Sequence, residues 1–282
     1  MRKDYVPVSE ALSTKDEAAF VEEYWSRMWV GRQIPEQVKA QLKRREEFRI
    51  MDPYLSRLPA KSRILDGGCG LGEWTVYYAS KGFEVVGLDL SRATIERLKA
   101  RFPDQQFVVG DVRETGFPEA SFDAYFSWGT FEHFEEGLGR CFREARRILK
   151  PGGYLFISVP FQNARHLWRD QRELWRWDES FDPSQGYPSP MRFYQWRLTK
   201  PELQRELELH GFRTLRVEPM HKDQGLRRAL QHDWRLPAES LVHRAIRRAL
   251  APVITKAAIG HMIMAVGQKR NGRIVESRDG QG

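Results

Sequence analysis

One aspartate and three glycines stand at alternate positions in one short stretch of this chain, Asp66-Gly67-Gly68-Cys69-Gly70-Leu71-Gly72, directly after the apolar pair Ile64-Leu65. The pair reads as the end of a buried strand and Glu73 as the start of a helix, so the glycines fill a strand-to-helix turn. Such a turn suits a nucleotide-like ligand. Glycine lets backbone approach closely, and a helix start presents N–H groups without partners. The spacing excludes the dinucleotide fingerprint G-x-G-x-x-G, because counted from Gly68 its third glycine falls on Glu73. What stands here is an acid followed by glycines at alternate positions.

Three further places carry groups able to recognise a ligand. Asp89 ends the run Phe83–Asp89, and a carboxylate there can accept from two neighbouring hydroxyls at once. Asp111-Val112 follows Gln106–Val109, and Ser127-Trp128-Gly129-Thr130-Phe131-Glu132-His133-Phe134 follows the run from Phe122. Each has a plain alternative: Asp89 as a helix-entry acid, Asp111 as a turn residue, His133 as a packed helix-start side chain.

Taken together, the glycine turn, Asp89, Asp111-Val112 and the turn Lys150-Pro151-Gly152-Gly153 resemble the class I S-adenosylmethionine (SAM) dependent methyltransferases, in particular the type 11, small-molecule branch. The resemblance covers about residues 60–218 and 261–267. It implies SAM as cofactor and S-adenosylhomocysteine as product. It also implies a cofactor site made of Asp66, Gly67, Gly68, Cys69, Gly70, Gly72, Asp89, Leu90, Asp111, Val112 and Ser127. Asp89 would face the ribose hydroxyls and Asp111 the adenine amino group. Asp66 would hold loop N–H groups or the cofactor's amine. His133 resembles a histidine found at this place in many small-molecule methyltransferases and is the leading candidate base. The resemblance implies a small-molecule or lipid-linked acceptor. The adenine- and glutamine-modifying relatives carry Asn/Asp-Pro-Pro-aromatic where this chain has Ser127-Trp128-Gly129, and no Pro-Cys nucleophile is present. A nucleic-acid (RNA) methyltransferase and a non-catalytic SAM-binding protein stay as alternatives.

The elements that must position these groups alternate strand and helix from residue 63 onward. That is the pattern of an α/β, doubly wound, Rossmann-like fold. The expectation is a seven-stranded, mostly parallel sheet with an antiparallel last strand, His261–Gly267. Residues 1–60 read as an N-terminal helical lid or cap, 61–267 as the methyltransferase domain and 268–282 as a disordered tail. Within the first part, residues 1–12 read as a loose arm, 14–29 as a helix, 35–50 as a second and 54–58 as a third. Tyr24, Trp25 or Trp29 would face the ligand if these helices form a lid; otherwise they add a layer to the sheet. Two insertions break the rhythm. The first, 161–197, is aromatic and would wall an acceptor pocket, with Trp128, Tyr187, Tyr194 and Trp196 as further contacts. The second, about 221–260, is basic and helical, with Leu241, Ala245, Leu250 and Val253 near one face and Arg244, Arg247 and Arg248 near another. It admits three readings: an extra layer, an anionic membrane surface, or a dimer contact.

The whole-chain totals bound these readings. Of 282 residues, 41% are hydrophobic and 30% charged, with a formal charge of +8, which suits one elaborated domain with a real core and anionic partners or a solvated basic exterior. Two cysteines, Cys69 and Cys141, make neither a disulfide framework nor a metal spacing. The N-terminus lacks a signal-peptide core, and no run spans a membrane. The expectation is therefore a cytoplasmic protein without metal, with peripheral membrane contact through residues 221–260 left open.

Overall fold

The computed structural model describes residues 1–30, 32, 42–171, 190–238 and 240–271. Numbered along the chain, they form β1 (Arg2–Pro7), α1 (Glu10–Ser13), α2 (Glu17–Val30), α3 (Glu46–Leu55), β2 (Arg63–Gly67), α4 (Glu73–Ala79), β3 (Glu84–Asp89) and α5 (Arg92–Arg101). β4 (Gln106–Val109), β5 (Phe122–Trp128), α6 (Gly139–Ile148), β6 (Leu149–Pro160), α7 (Ala164–Gln171), β7 (Met191–Arg197) and α8 (Lys200–Leu209) follow. β8 (Phe212–Met220), α9 (Lys222–His232), α10 (Leu241–Leu250), α11 (Lys256–Ile259) and β9 (Met262–Lys269) complete the set.

Seven strands make one sheet in the order β4-β3-β2-β5-β6-β9-β8. All run parallel except β9, which is antiparallel to both β6 and β8. The expected fold class is the one observed. Strands alternate their side chains between the two faces, and both faces here are covered. Leu65, Tyr125 and Leu155 pack on the side of α6 and α8, while Ile64, Ala124, Phe126 and Phe156 pack on the side of α3 and α4. That double covering is why these strands read as unbroken apolar runs. From β2 the chain moves outward to β3 and β4, then crosses back to β5 and β6. The direction therefore reverses between β2 and β5, where such sheets open a crevice at the strands' carboxyl ends.

Several helix starts follow the local sequence. Ser91 accepts from the Thr94 N–H at 3.2 Å, and Thr199 with Glu202 closes a reciprocal capping box.

The periphery departs from expectation. Residues 2–7 are not a loose arm: β1 pairs antiparallel with β7, with Tyr5 opposite Phe193. Arg197 and Asp4 join the two strands through hydrogen bonds of 2.9–3.0 Å. Residues 46–55 form one helix, α3, which runs through Pro53 and joins the end of the second expected helix to the start of the third; residues 33–41, where the second was expected to begin, lie outside the described residues. β8 continues to Met220 and β9 to Lys269, so the tail does not begin at 268. Lys269 donates its ammonium to the Leu149 carbonyl at 2.6 Å. Residues 272–282 lie outside the described residues. On α10 and just beyond it, Leu241 and Val253 are both exposed.

Candidate active site

The glycine turn is held from two sides. Gly68, Gly70 and Gly72 all take positive φ, which side chains rarely adopt. A Cβ at Gly68 would lie 2.2 Å from the Thr130 hydroxyl, so residue 68 has no room for one. Asp66 sits behind the turn, accepting from the Thr75 N–H at 3.1 Å and its hydroxyl at 2.7 Å. Burial pushes its carboxyl up to about 7, against those two bonds. Ser127 is also behind the turn and donates to the Gly67 carbonyl at 2.7 Å.

In front of the turn lies a cavity of about 330 Å³ at the carboxyl ends of β3, β4, β5 and β6. Gly68, Asp89, Leu90, Gly110, Asp111 and Val112 line one end of it. Asp89 accepts from Gly70 N–H and Ser91 N–H, both at 2.9 Å, one on each carboxylate oxygen. Burial raises its pKa, and those N–H groups pull it back. Asp111 lines the cavity too, but Arg113 holds both its oxygens, at 2.8–3.1 Å. Arg113 also reaches Glu17 at 2.6 Å, which ties the first turn of α2 to this end of the cavity.

The other end is walled by segments distant in sequence: Trp25 from α2, Trp128, Glu132 and His133 after β5, Tyr194 and Gln195 from β7, Arg228 from α9, and His261 before β9; Trp29, also on α2, instead covers the glycine turn, 3.1 Å from where a Cβ of residue 70 would stand. The His133 ring lies 4.8 Å from that of Trp25 and 5.2 Å from that of Tyr194. Its Nδ1 meets the Tyr194 carbonyl at 2.6 Å, which places a proton on Nδ1. Burial lowers its pKa to about 4, so it is neutral near pH 7. Glu132 beside it is buried, and its Oε2 has no hydrogen-bond partner among the described residues. Burial pushes this carboxyl up to about 8.

The structure thus brings Gly68, Asp89, Leu90, Asp111, Val112, Trp128, His133 and Tyr194 onto one cavity. Asp66, Gly67, Cys69, Gly70, Gly72 and Ser127 shape the turn from behind. Tyr24 packs on the Tyr194 ring at 5.5 Å, and Trp196 donates its Nε1 to the Phe134 carbonyl at 3.0 Å; neither lines the cavity. Tyr187 lies outside the described residues. Sequence reasoning missed Glu132, Gln195, Arg228 and His261. Only Glu132 had a local signal, a charged residue enclosed by Phe131 and His133-Phe134.

Residues 65–157 match a family model described as a methyltransferase domain. A probable S-adenosylmethionine-dependent methyltransferase from Mycolicibacterium smegmatis is 32% identical over 100 residues, 34% of this chain and 37% of that one. An S-adenosyl-L-methionine-dependent Diels-Alderase from Talaromyces variabilis is 36% identical over 121 residues, 39% of each chain. The chain thus spans well under two thirds of the length of these two relatives. In fold, it covers 99% of a chain from a Haloferax volcanii complex between the Trm112 methyltransferase activator and a putative methyltransferase, with 90% of this chain aligned, a TM-score of 0.57 and 19% identity.

The residues of this chain fit the cofactor those similarities imply. Each Asp89 oxygen takes one N–H and keeps lone pairs that a hydroxyl can share. Gly68 and Gly110 present bare backbone to the cavity, and Leu90 and Val112 give it apolar walls. When bound there, SAM supplies a methyl group on a cationic sulfur. Residues 65–157 of the α/β core thus match a methyltransferase domain, and the two relatives named above are both called S-adenosylmethionine-dependent.

Proposed function

We propose that the protein transfers the methyl group of SAM to a small-molecule or lipid-linked acceptor bound between Trp25, Trp128, His133 and Tyr194. One observation carries the reading: a single cavity has the acids Asp89 and Asp111 beside the glycine turn at one end and the protic and aromatic side chains of Trp25, Trp128, Glu132, His133 and Tyr194 at the other. Methyl transfer needs cofactor and acceptor in line at near-attack distance, and a shared walled cavity supplies that alignment. His133 and Glu132 are the two groups placed to accept a proton if the acceptor is a hydroxyl or an amine. The purified protein should bind S-adenosylhomocysteine in a calorimeter and pass labelled methyl from SAM to a fraction of a small-molecule or lipid extract. Absence of cofactor binding would remove the reading, and binding without transfer to any fraction would leave a SAM-binding protein of another activity.

The lipid-linked option has an observation of its own. Trp234, Leu241, Val242 and Val253 are exposed beside the exposed Arg235, Arg244 and Arg248, just beyond α9, whose Arg228 lines the cavity. Apolar side chains interleaved with arginines suit an anionic membrane surface. No helix of the described residues is long and apolar enough to cross a membrane. Nucleic acid is less well served, because acids interleave with the bases here. Asp223 meets Arg247 at 3.3 Å and Arg227 at 3.8 Å, and Asp233 pairs with Arg165 and Arg169. Cosedimentation with phosphatidylglycerol vesicles, and none with phosphatidylcholine vesicles, is the expected result for the lipid-linked option.

A further inference from the structure

The Glu132 side chain stands out on geometry. It is 1% exposed and lines the cavity, its carboxyl lies over Gly129, and its Oε2 finds no hydrogen-bond donor among the described residues. A buried polar atom without a partner in the protein is costly unless a ligand completes it. Its nearest basic neighbour, His133 Nε2, is 3.9 Å from Oε1 and uncharged near neutral pH. The other charged or titratable groups on the cavity are Glu22 from α2, Asp89 and Asp111 at the cofactor end, Tyr194 from β7, Arg228 from α9 and His261 before β9. Tyr194 is raised, and His261 is lowered to about 3, so neither is charged near pH 7. Burial is the largest influence on Glu132, opposed only by a backbone hydrogen bond.

Resting on the methyl-transfer reading, we propose that Glu132 carries the reaction's proton and that the cofactor's sulfonium sets its charge. SAM brings one positive charge into the cavity that S-adenosylhomocysteine lacks. An opposite charge nearby favours the ionised carboxylate, so SAM binding expels the Glu132 proton to solvent. In the reaction the acceptor's hydroxyl or amine lone pair takes the methyl, and the S–CH3 electron pair returns to sulfur. The acceptor's proton passes to the Glu132 carboxylate. Product cofactor is then neutral, the carboxyl is protonated again, and the next SAM repeats the exchange. Atoms and charge balance: SAM and a protic acceptor give S-adenosylhomocysteine, the methylated acceptor and one proton, released at the following binding step.

The sign of the linkage is fixed by this order. A ligand that prefers the ionised form binds more tightly as pH rises toward the free group's pKa, here about 8, and gains nothing further above it. The test is titration calorimetry of the wild-type chain and Glu132→Gln with SAM and with S-adenosylhomocysteine, between about pH 6.5 and about pH 8.5. Expected is a roughly tenfold tightening of SAM in the wild type beyond that in Glu132→Gln, with S-adenosylhomocysteine differing less than about twofold between the two proteins. The cofactor's own amine is common to both proteins and cancels. Binding of S-adenosylhomocysteine by Glu132→Gln is the control that it folds. If it does not bind, wild-type titrations in two buffers of different ionisation enthalpy decide, through one more proton released on binding SAM than on binding S-adenosylhomocysteine. An unchanged slope in Glu132→Gln, or equal proton counts for the two cofactors, overturns the proposal and leaves methyl transfer standing. Failure of the wild type to bind either cofactor removes the methyl-transfer reading itself.

Discussion

The two ends of the cavity are built from different materials. The proposed cofactor end is mostly backbone and short side chains at the ends of β2, β3 and β4, with Gly68, Asp89 and Asp111 inside one short stretch of sequence. The acceptor end is made of large side chains from five separate places between Trp25 and His261. The first end has its polar groups largely satisfied inside the protein, as the two N–H bonds to Asp89 and the Arg113 clamp on Asp111 illustrate. The second keeps the Glu132 Oε2 unsatisfied. A site that always meets one cofactor can be rigid and complete. A site that must meet an acceptor keeps groups for the acceptor to complete.

Substitutions at the two ends should therefore separate cleanly. The largest effect is expected from Asp89→Ala, which removes two charge-assisted acceptors and strands the N–H groups of Gly70 and Ser91. Cofactor affinity should fall by about 3 kcal/mol, roughly 150-fold, for SAM and S-adenosylhomocysteine alike. Calorimetry checks it, and equal affinity would break the comparison at its stronger side. Next is Asp4→Ala, which leaves the buried Arg197 guanidinium without its carboxylate and loosens the β1–β7 ribbon that carries Tyr194. With the Asp4 side chain still 16% exposed, a loss of about 2 kcal/mol in denaturant unfolding is expected. Cofactor affinity should stay within about twofold.

Trp29→Ala uncovers the glycine turn at Gly70, and the expected result is about 1 kcal/mol, roughly fivefold, in cofactor residence time by stopped-flow. An unchanged off-rate would mean that α2 does not close over the cofactor. The smallest effect is expected from Trp196→Phe, which loses the Nε1 bond to the Phe134 carbonyl and keeps the ring's packing. A stability loss of about 1 kcal/mol in urea, with cofactor binding unaltered, would place Trp196 behind the wall and not in it.

Much of the fold was legible because its signals are local. Strand, glycine turn and helix lie in one short run, Asp89 ends one apolar run, and Asp111 sits two residues beyond another. The Thr199 cap and the Ser91 cap are likewise contained in four residues. Reading failed where partners are remote. Arg2-Lys3-Asp4 looks like a solvated arm until Arg197, 193 residues away, supplies the counter-charge. Tyr194 and Trp196 share a strand face by alternation, yet only the first reaches the cavity, because the second is turned to the Phe134 carbonyl. Tyr24 and Trp25 are neighbours on α2, and which of them faces the site depends on how that helix is rotated by Arg113 and Glu17.

From sequence, the order of the core strands and helices and the place of the strand–glycine–helix turn could be deduced. Backbone conformation at glycine, strand periodicity and helix capping are settled within a few residues. The acceptor wall was decided only by tertiary structure. Burial, lone pairs left without donors, and the convergence of Glu132, Tyr194, Arg228 and His261 depend on which distant segments exclude water from the same space, and no local pattern encodes that.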